Sequence, residues 1–117
     1  MKKKEIVKNT WEFEDIIKTG TCLKNQYFII HLKENNLSHA RYGISVSKKI
    51  GNAVTRNYYK RKIRTIIDNY KKQYNNKVDY IIILRKRALE LKHEQLQQEF
   101  FNLMCKKGSK ANGQEKK

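Results

Sequence analysis

The sequence predicts an α+β domain, with helices packed on a central sheet, and three observations carry that prediction. Helix-period segments and strand-like segments succeed one another in the order α, β, β, α, β, α. A chain of 117 residues has enough apolar side chains for one modest core, and two domains would leave neither with one. The longest unbroken apolar run, Tyr80 to Leu84, is far short of a membrane span, and charges interrupt the opening MKKKEIVKNTWEFE, so neither a span nor a signal peptide is expected.

The elements follow in order. Thr10 is a candidate helix N-cap, after which Phe13, Ile16 and Ile17 recur at helical spacing until Gly20, which predicts a first helix over Trp11 to Thr19. Tyr27 to Leu32 is rich in strand formers, with Phe28, Ile30 and Leu32 on one face and Tyr27, Ile29 and His31 on the other. The polar run Glu34 to His39 suits a hairpin loop. Beyond it Arg41 to Ser47 alternates between Tyr42, Ile44 and Val46 on a core face and Arg41, Gly43, Ser45 and Ser47 on a small, polar one. That second face is either solvated or leaves room for a backbone to approach. Asn52, after Gly51, can cap a helix reaching about Tyr74. Val78 to Leu84 is apolar on both parities and reads as a strand buried on both sides. A last helix spans Glu94 to Lys106, its stripe formed by Leu96, Phe100, Leu103 and Met104. Residues 1–106 are thus expected as one domain and 107–117 as a basic, disordered tail.

Charge narrows the function. Lysine and arginine number 27 against 11 aspartates and glutamates, a formal net charge of +16 that attracts polyanions at long range. Lysine is abundant everywhere in this Ile- and Asn-rich chain, so arginine is the sharper signal. There are six, and Arg56, Arg61 and Arg64 fall within one short window. Cys22 and Cys105 lie far apart without a CxxC or paired histidines, which supports neither a zinc site nor a disulfide framework and suits a reducing cytoplasm.

The window itself, Lys48 to Arg64, reads KKIGNAVTRNYYKRKIR and holds seven basic residues and no acid. On a helix Tyr59, Ile63, Ile66 and Tyr70 share one arc, while Arg56, Lys60 and Arg64 form a second stripe flanked by Asn57 and Arg61. The first acid after Lys48 is Asp68, so the bases lack the intervening acids that a solvated helix normally carries. The Gly51–Asn52 entry, preceded by Lys48 and Lys49, adds the positive end of the helix dipole. Together these features point to an external polyanion held in a defined geometry.

The string SVSKKIGNAVTRNYYKRKIR resembles the signature of the bacterial ribonuclease P protein component, with Gly51 to Val54, Arg56, Asn57, Lys60, Arg61 and Arg64 on its motif positions. The resemblance extends from Glu12-Phe13 through Asp79 to Ile83 and into the last helix. It implies a compact two-layer α/β sandwich with a mostly antiparallel sheet of about four strands and a left-handed βαβ crossover, opposite to the general preference. It implies a catalytic RNA as obligate partner, which carries out hydrolysis with magnesium bound mainly by the RNA and none tightly by the protein. It also implies contact with the 5′ leader of precursor tRNA, no membrane, no required protein partner and a cytoplasmic location. On this resemblance Lys48, Lys49, Asn52, Arg56, Asn57, Lys60, Arg61 and Arg64 face RNA. A cleft between the first helix and the sheet takes the leader at Phe13, Ile17 and His31, the last two standing where many members have Phe and Tyr. From periodicity alone, Phe13 and Ile17 would be ordinary core residues.

Catalysis by side chains is not expected, because the acids are scattered and only three histidines are present. A ribosomal protein or RNA chaperone would share the charge and the fold. A DNA-binding regulator would need a helix-turn partner just upstream of residue 52, where the sequence reads as strand.

Overall fold

The structure is a computed structural model describing residues 6–7, 9–37, 39–71 and 77–110. The elements are α1 (Thr10–Thr19), β1 (Thr21–Lys24), β2 (Phe28–Glu34), β3 (Arg41–Ser45), a 3-10 turn (Lys48–Ile50), α2 (Ala53–Lys71), β4 (Val78–Leu84), a second 3-10 turn (Lys86–Glu90) and α3 (His93–Lys110). The four strands form one sheet in the order β1-β2-β4-β3. β1 with β2 and β2 with β4 are antiparallel, whereas β3 and β4 are parallel and joined through α2.

This order corrects the expected hairpin across Glu34 to His39. β2 and β3 do not pair, because β4 lies between them. The strand apolar on both parities takes the position where both faces need covering. The chain's hairpin is instead β1 with β2, closed by Asn25, whose Oδ1 accepts the amides of Tyr27 and Phe28.

Alternation along the strands sorts side chains onto two faces. Phe28, Ile30 and Leu32 join Tyr42, Tyr80, Ile82 and Leu84 beneath α2 and α3. Ile63, Ile66 and Ile67 of α2 are fully buried there, each contributing about 1.5–3 kcal/mol relative to exposure. Tyr42 stacks on Tyr80 at 5.0 Å, and Tyr70 meets Tyr80 and Phe100 edge-on, so aromatic rings bind both helices to the sheet. The reverse face is smaller. Val7, Ile16 and Ile81 form its core with Phe13 and Ile83 against them, and α1 lies across β2 and β4.

Element ends differ slightly from expectation. Asn9, not Thr10, precedes α1 as its cap; its Nδ2 donates to Glu12 Oε1 and its carbonyl accepts the amides of Glu12 and Phe13. α3 continues through Lys107 to Lys110, residues expected in the tail, and 111–117 lie outside the described residues. The expected end of α2 near Tyr74 also lies outside them.

Candidate RNA-binding surface

The sheet has two chemically different ends. Because β3 and β4 run parallel and β2 runs against them, the ends of β3 and β4 lie beside the β1–β2 turn. Lys24, Lys48, Lys49, Arg85, Lys86 and Arg87 therefore gather at one end. Lys24, Arg85 and Arg87 line a basic pocket with Asn25 and Gln26, and Arg85 is fixed by donating from Nη1 to the Asn25 carbonyl at 3.0 Å. The sequence reading missed Lys24, Arg85 and Arg87, since Lys24 is far from the two arginines in the chain and only strand order joins them.

At the other end charge is consumed internally. Arg41 donates from Nε and Nη2 to Asp79 at 2.9 and 2.6 Å and pairs with Glu12 of α1 at 2.9 Å. Lys33 reaches Asp15 of α1 at 2.7 Å, and Asn35 donates to Asp79 at 2.8 Å. The carboxylate neighbours raise the Arg41 pKa further above its already high value, Asp79 foremost. These contacts fasten α1 over the sheet. Among the described residues no group of three or more His, Cys, Asp and Glu could hold a metal ion, and the carboxylates that do converge are held by Arg41 and Lys33.

Between the two ends runs a row across the reverse face, set by register: Cys22, His31, Ile81 and Gly43. Gly43 is there because Phe13 leans on it. A Cβ at this position would stand 2.6 Å from Phe13 Cζ and 2.8 Å from Ile81 Cδ1. At Gly43 the small face of Arg41 to Ser47 thus receives a ring, while Ser47 is exposed to solvent. Phe13 is half-buried against the Val7, Ile16 and Ile81 cluster, while Ile17 is 40% exposed, which corrects its placement as a core residue. Ile16 fills that role because it points at Ile81 and Val7. His31 is partly exposed beside them, with Nδ1 buried and making no hydrogen bond among the described residues, and desolvation lowers its pKa. The next row, Lys24, Ile29, Ile83 and Ser45, includes half-buried Ile29 and Ile83 and leads toward the basic end.

On the far side of the sheet, α2 presents its two stripes as the sequence indicates. Tyr59, Ile63, Ile66 and Tyr70 dock on the core. Asn57, Arg61 and Arg64 are exposed and Arg56 and Lys60 half-buried, all forming one basic side. Arg56 Nε is buried and makes no hydrogen bond among the described residues. Asn52 caps the helix, its Oδ1 accepting the Thr55 amide at 3.0 Å and its carbonyl the Arg56 amide at 2.9 Å. Gly51 enters at φ 158°, ψ −166°, a region almost restricted to glycine. Lys48 and Lys49 are exposed on the preceding 3-10 turn, so all the motif positions are exposed or half-buried.

The model of the Ribonuclease P family matches residues 1–108 of this chain. This protein belongs to that family. The ribonuclease P protein component of Streptococcus pneumoniae (strain Hungary19A-6) is 41% identical over 118 residues, covering 99% of this chain and 96% of the relative. That of Mycoplasma mycoides subsp. mycoides SC is 44% identical over 105 residues, covering 89% and 96%. The solved structure of the Staphylococcus aureus RNase P protein superposes with a TM-score of 0.79 at 35% identity, covering 86% of this chain and 92% of that one. The family thus shares the α+β fold of three helices on a four-stranded mixed sheet, and membership connects this chain with tRNA processing by an endoribonuclease complex.

Proposed function

We propose that this chain is the protein subunit of a ribonuclease P ribonucleoprotein, binding the catalytic RNA along α2 and the 5′ leader of precursor tRNA in the cleft between α1 and the sheet. It promotes endonucleolytic removal of the leader, giving the mature tRNA 5′ end, and the RNA performs the hydrolysis. The observation that carries this reading is the acid-free basic side of α2, running from Lys48 and Lys49 through Arg56, Lys60, Arg61 and Arg64. Arginines there suit bidentate contact with phosphates, and Asn52 and Asn57 add neutral donors. The reverse face of the sheet supports the second contact: Phe13 and Ile83 pack against Ile81, His31 stands next to Ile81 by register, and Lys24 and Arg85 line the basic pocket at one end of the sheet, where a strand's phosphates would be met. With Ile17 and His31 at two cleft positions, Phe13 is the main stacking surface for a leader base.

Magnesium, when bound in the complex, supplies the activated water and charge stabilisation of phosphodiester hydrolysis. Glu12, Asp15 and Asp79 are engaged by Arg41 and Lys33, which supports a protein whose part is to bind and orient. The work is to be expected in a cytoplasmic setting.

The test is cleavage of a 5′-extended precursor tRNA at low magnesium by a bacterial ribonuclease P RNA, with and without this protein, and by the protein alone. Stimulation only when RNA and protein are together is the expected result. A folded protein that fails to stimulate its cognate RNA would instead be a ribosomal protein or an RNA chaperone.

A further inference from the structure

At the edge of the basic side of α2, between Arg61 and Lys62 around the helix, stands an aromatic ring that the core does not use. Tyr58 is 45% exposed and Val54, one turn earlier, is 77% exposed. Single apolar residues on a surface are ordinary. Tyr58 differs because its neighbours hold it in place. Its ring meets Tyr59 edge-to-face at 5.2 Å, and Tyr59 is packed against the core. The Lys62 ammonium lies 4.8 Å from the Tyr58 ring centre and 5.5 Å from that of Tyr59. Lys62 thus lies over the Tyr58 ring, which nevertheless stays 45% exposed. Arg61 follows Tyr58 by three positions, so it stands beside the ring on the same side of the helix.

We infer that Tyr58 is a stacking platform for an unpaired nucleotide of the RNA that α2 binds, with Arg61 and Lys62 taking the flanking phosphates; this rests on the RNA-binding reading above. A nucleic acid base fits better than an apolar partner, because a ring with Lys62 over it and Arg61 one turn on is costly to desolvate against an apolar surface and well suited to a base carrying phosphates on both sides. The nucleotide is unpaired because bases inside an A-form duplex offer no free face to a side chain. A bulge, loop or single-stranded joint is therefore the feature recognised. The stripe residues read charge, whereas Tyr58 reads an exposed base.

The test is equilibrium binding of the full-length protein to ribonuclease P RNA over a range of salt, with wild type, Tyr58→Phe, Tyr58→Trp, Tyr58→Leu and Arg61→Ala, each checked for folding by thermal melting. Tyr58→Phe and Tyr58→Trp are expected to bind within about twofold of wild type or tighter. Tyr58→Leu is expected to bind about 5- to 100-fold more weakly with an unchanged salt slope, because stacking releases no counterions. Arg61→Ala is expected to lower the slope by about one. Wild-type affinity in Tyr58→Leu would overturn the inference. So would a loss shared by Tyr58→Phe, which would assign the contact to the hydroxyl, or a reduced slope in Tyr58→Leu, which would reduce the ring to a support for Lys62. Failure of the wild type to prefer ribonuclease P RNA over unrelated RNA would strike the functional reading itself.

Discussion

Arg41 holds three parts of the molecule at once: it extends from β3, forks onto Asp79 of β4 and pairs with Glu12 of α1. Asp79 is the one buried charged residue among those described, so Arg41→Ala removes the cation that its carboxylate forks with and leaves it the Asn35 amide. A loss of about 3 kcal/mol is expected in denaturant unfolding, whereas Lys33→Ala, which breaks a more exposed pair, should cost below about 1 kcal/mol. His31 acts through protonation. Its folded pKa lies below the ordinary 6.5 because burial disfavours the imidazolium, so the unfolded chain binds more protons as pH falls past that value. Stability attributable to His31 is present above about pH 6.5 and declines below it. Melting curves from pH 7.5 to 5 should therefore flatten in His31→Gln relative to wild type; parallel curves would remove His31 from the acid response.

At the scale of elements, β3 and α1 are fitted to one another through the absence of a side chain. Gly43→Ala places a methyl where Phe13 and Ile81 already stand, and the ring at the end of a helix must move. A loss of about 1–3 kcal/mol is expected, together with altered cleft contacts. Phe13→Ala should then weaken precursor tRNA binding by the ribonucleoprotein more than mature tRNA binding; an equal loss for both returns Phe13 to a purely structural part. The legibility of these elements tracks their physics. α2 was readable because its apolar arc and basic stripe each recur with helical period and Asn52 caps the first turn. β4 was readable to the residue because seven consecutive positions avoid exposure for one reason, cover on both faces. β1 was not, since Thr21–Lys24 has a single buried residue, Leu23, and its strand character comes from pairing with β2. Ile16 and Ile17 are neighbours of equal hydrophobicity, and only the placement of α1 over Ile81 decides which is core.

For the whole molecule, the proposed function and a net charge of +16 together predict an affinity for RNA that falls steeply with salt. The log-log slope should be about 0.7 to 0.9 per phosphate neutralised, and a flat response would contradict a phosphate-bound surface. Strand order is the feature that local patterns left unread. Alternation tells which side chains share a face, yet it is silent on which strands are neighbours, and adjacency in the chain suggested a β2–β3 hairpin. Both the basic group at Lys24, Arg85 and Arg87 and the clamp at Arg41 depend on that order. The same order bears on synthesis. β4, which joins the hairpin to β3, is the last strand to be made, so a nascent chain that ends before Val78 has two sheet fragments and nothing to bridge them. The signature helix is complete on the ribosome before its docking floor exists. Amide exchange in a chain stopped at Lys77 should therefore find α2 unprotected, with protection arriving only when the strand from Val78 to Leu84 is added.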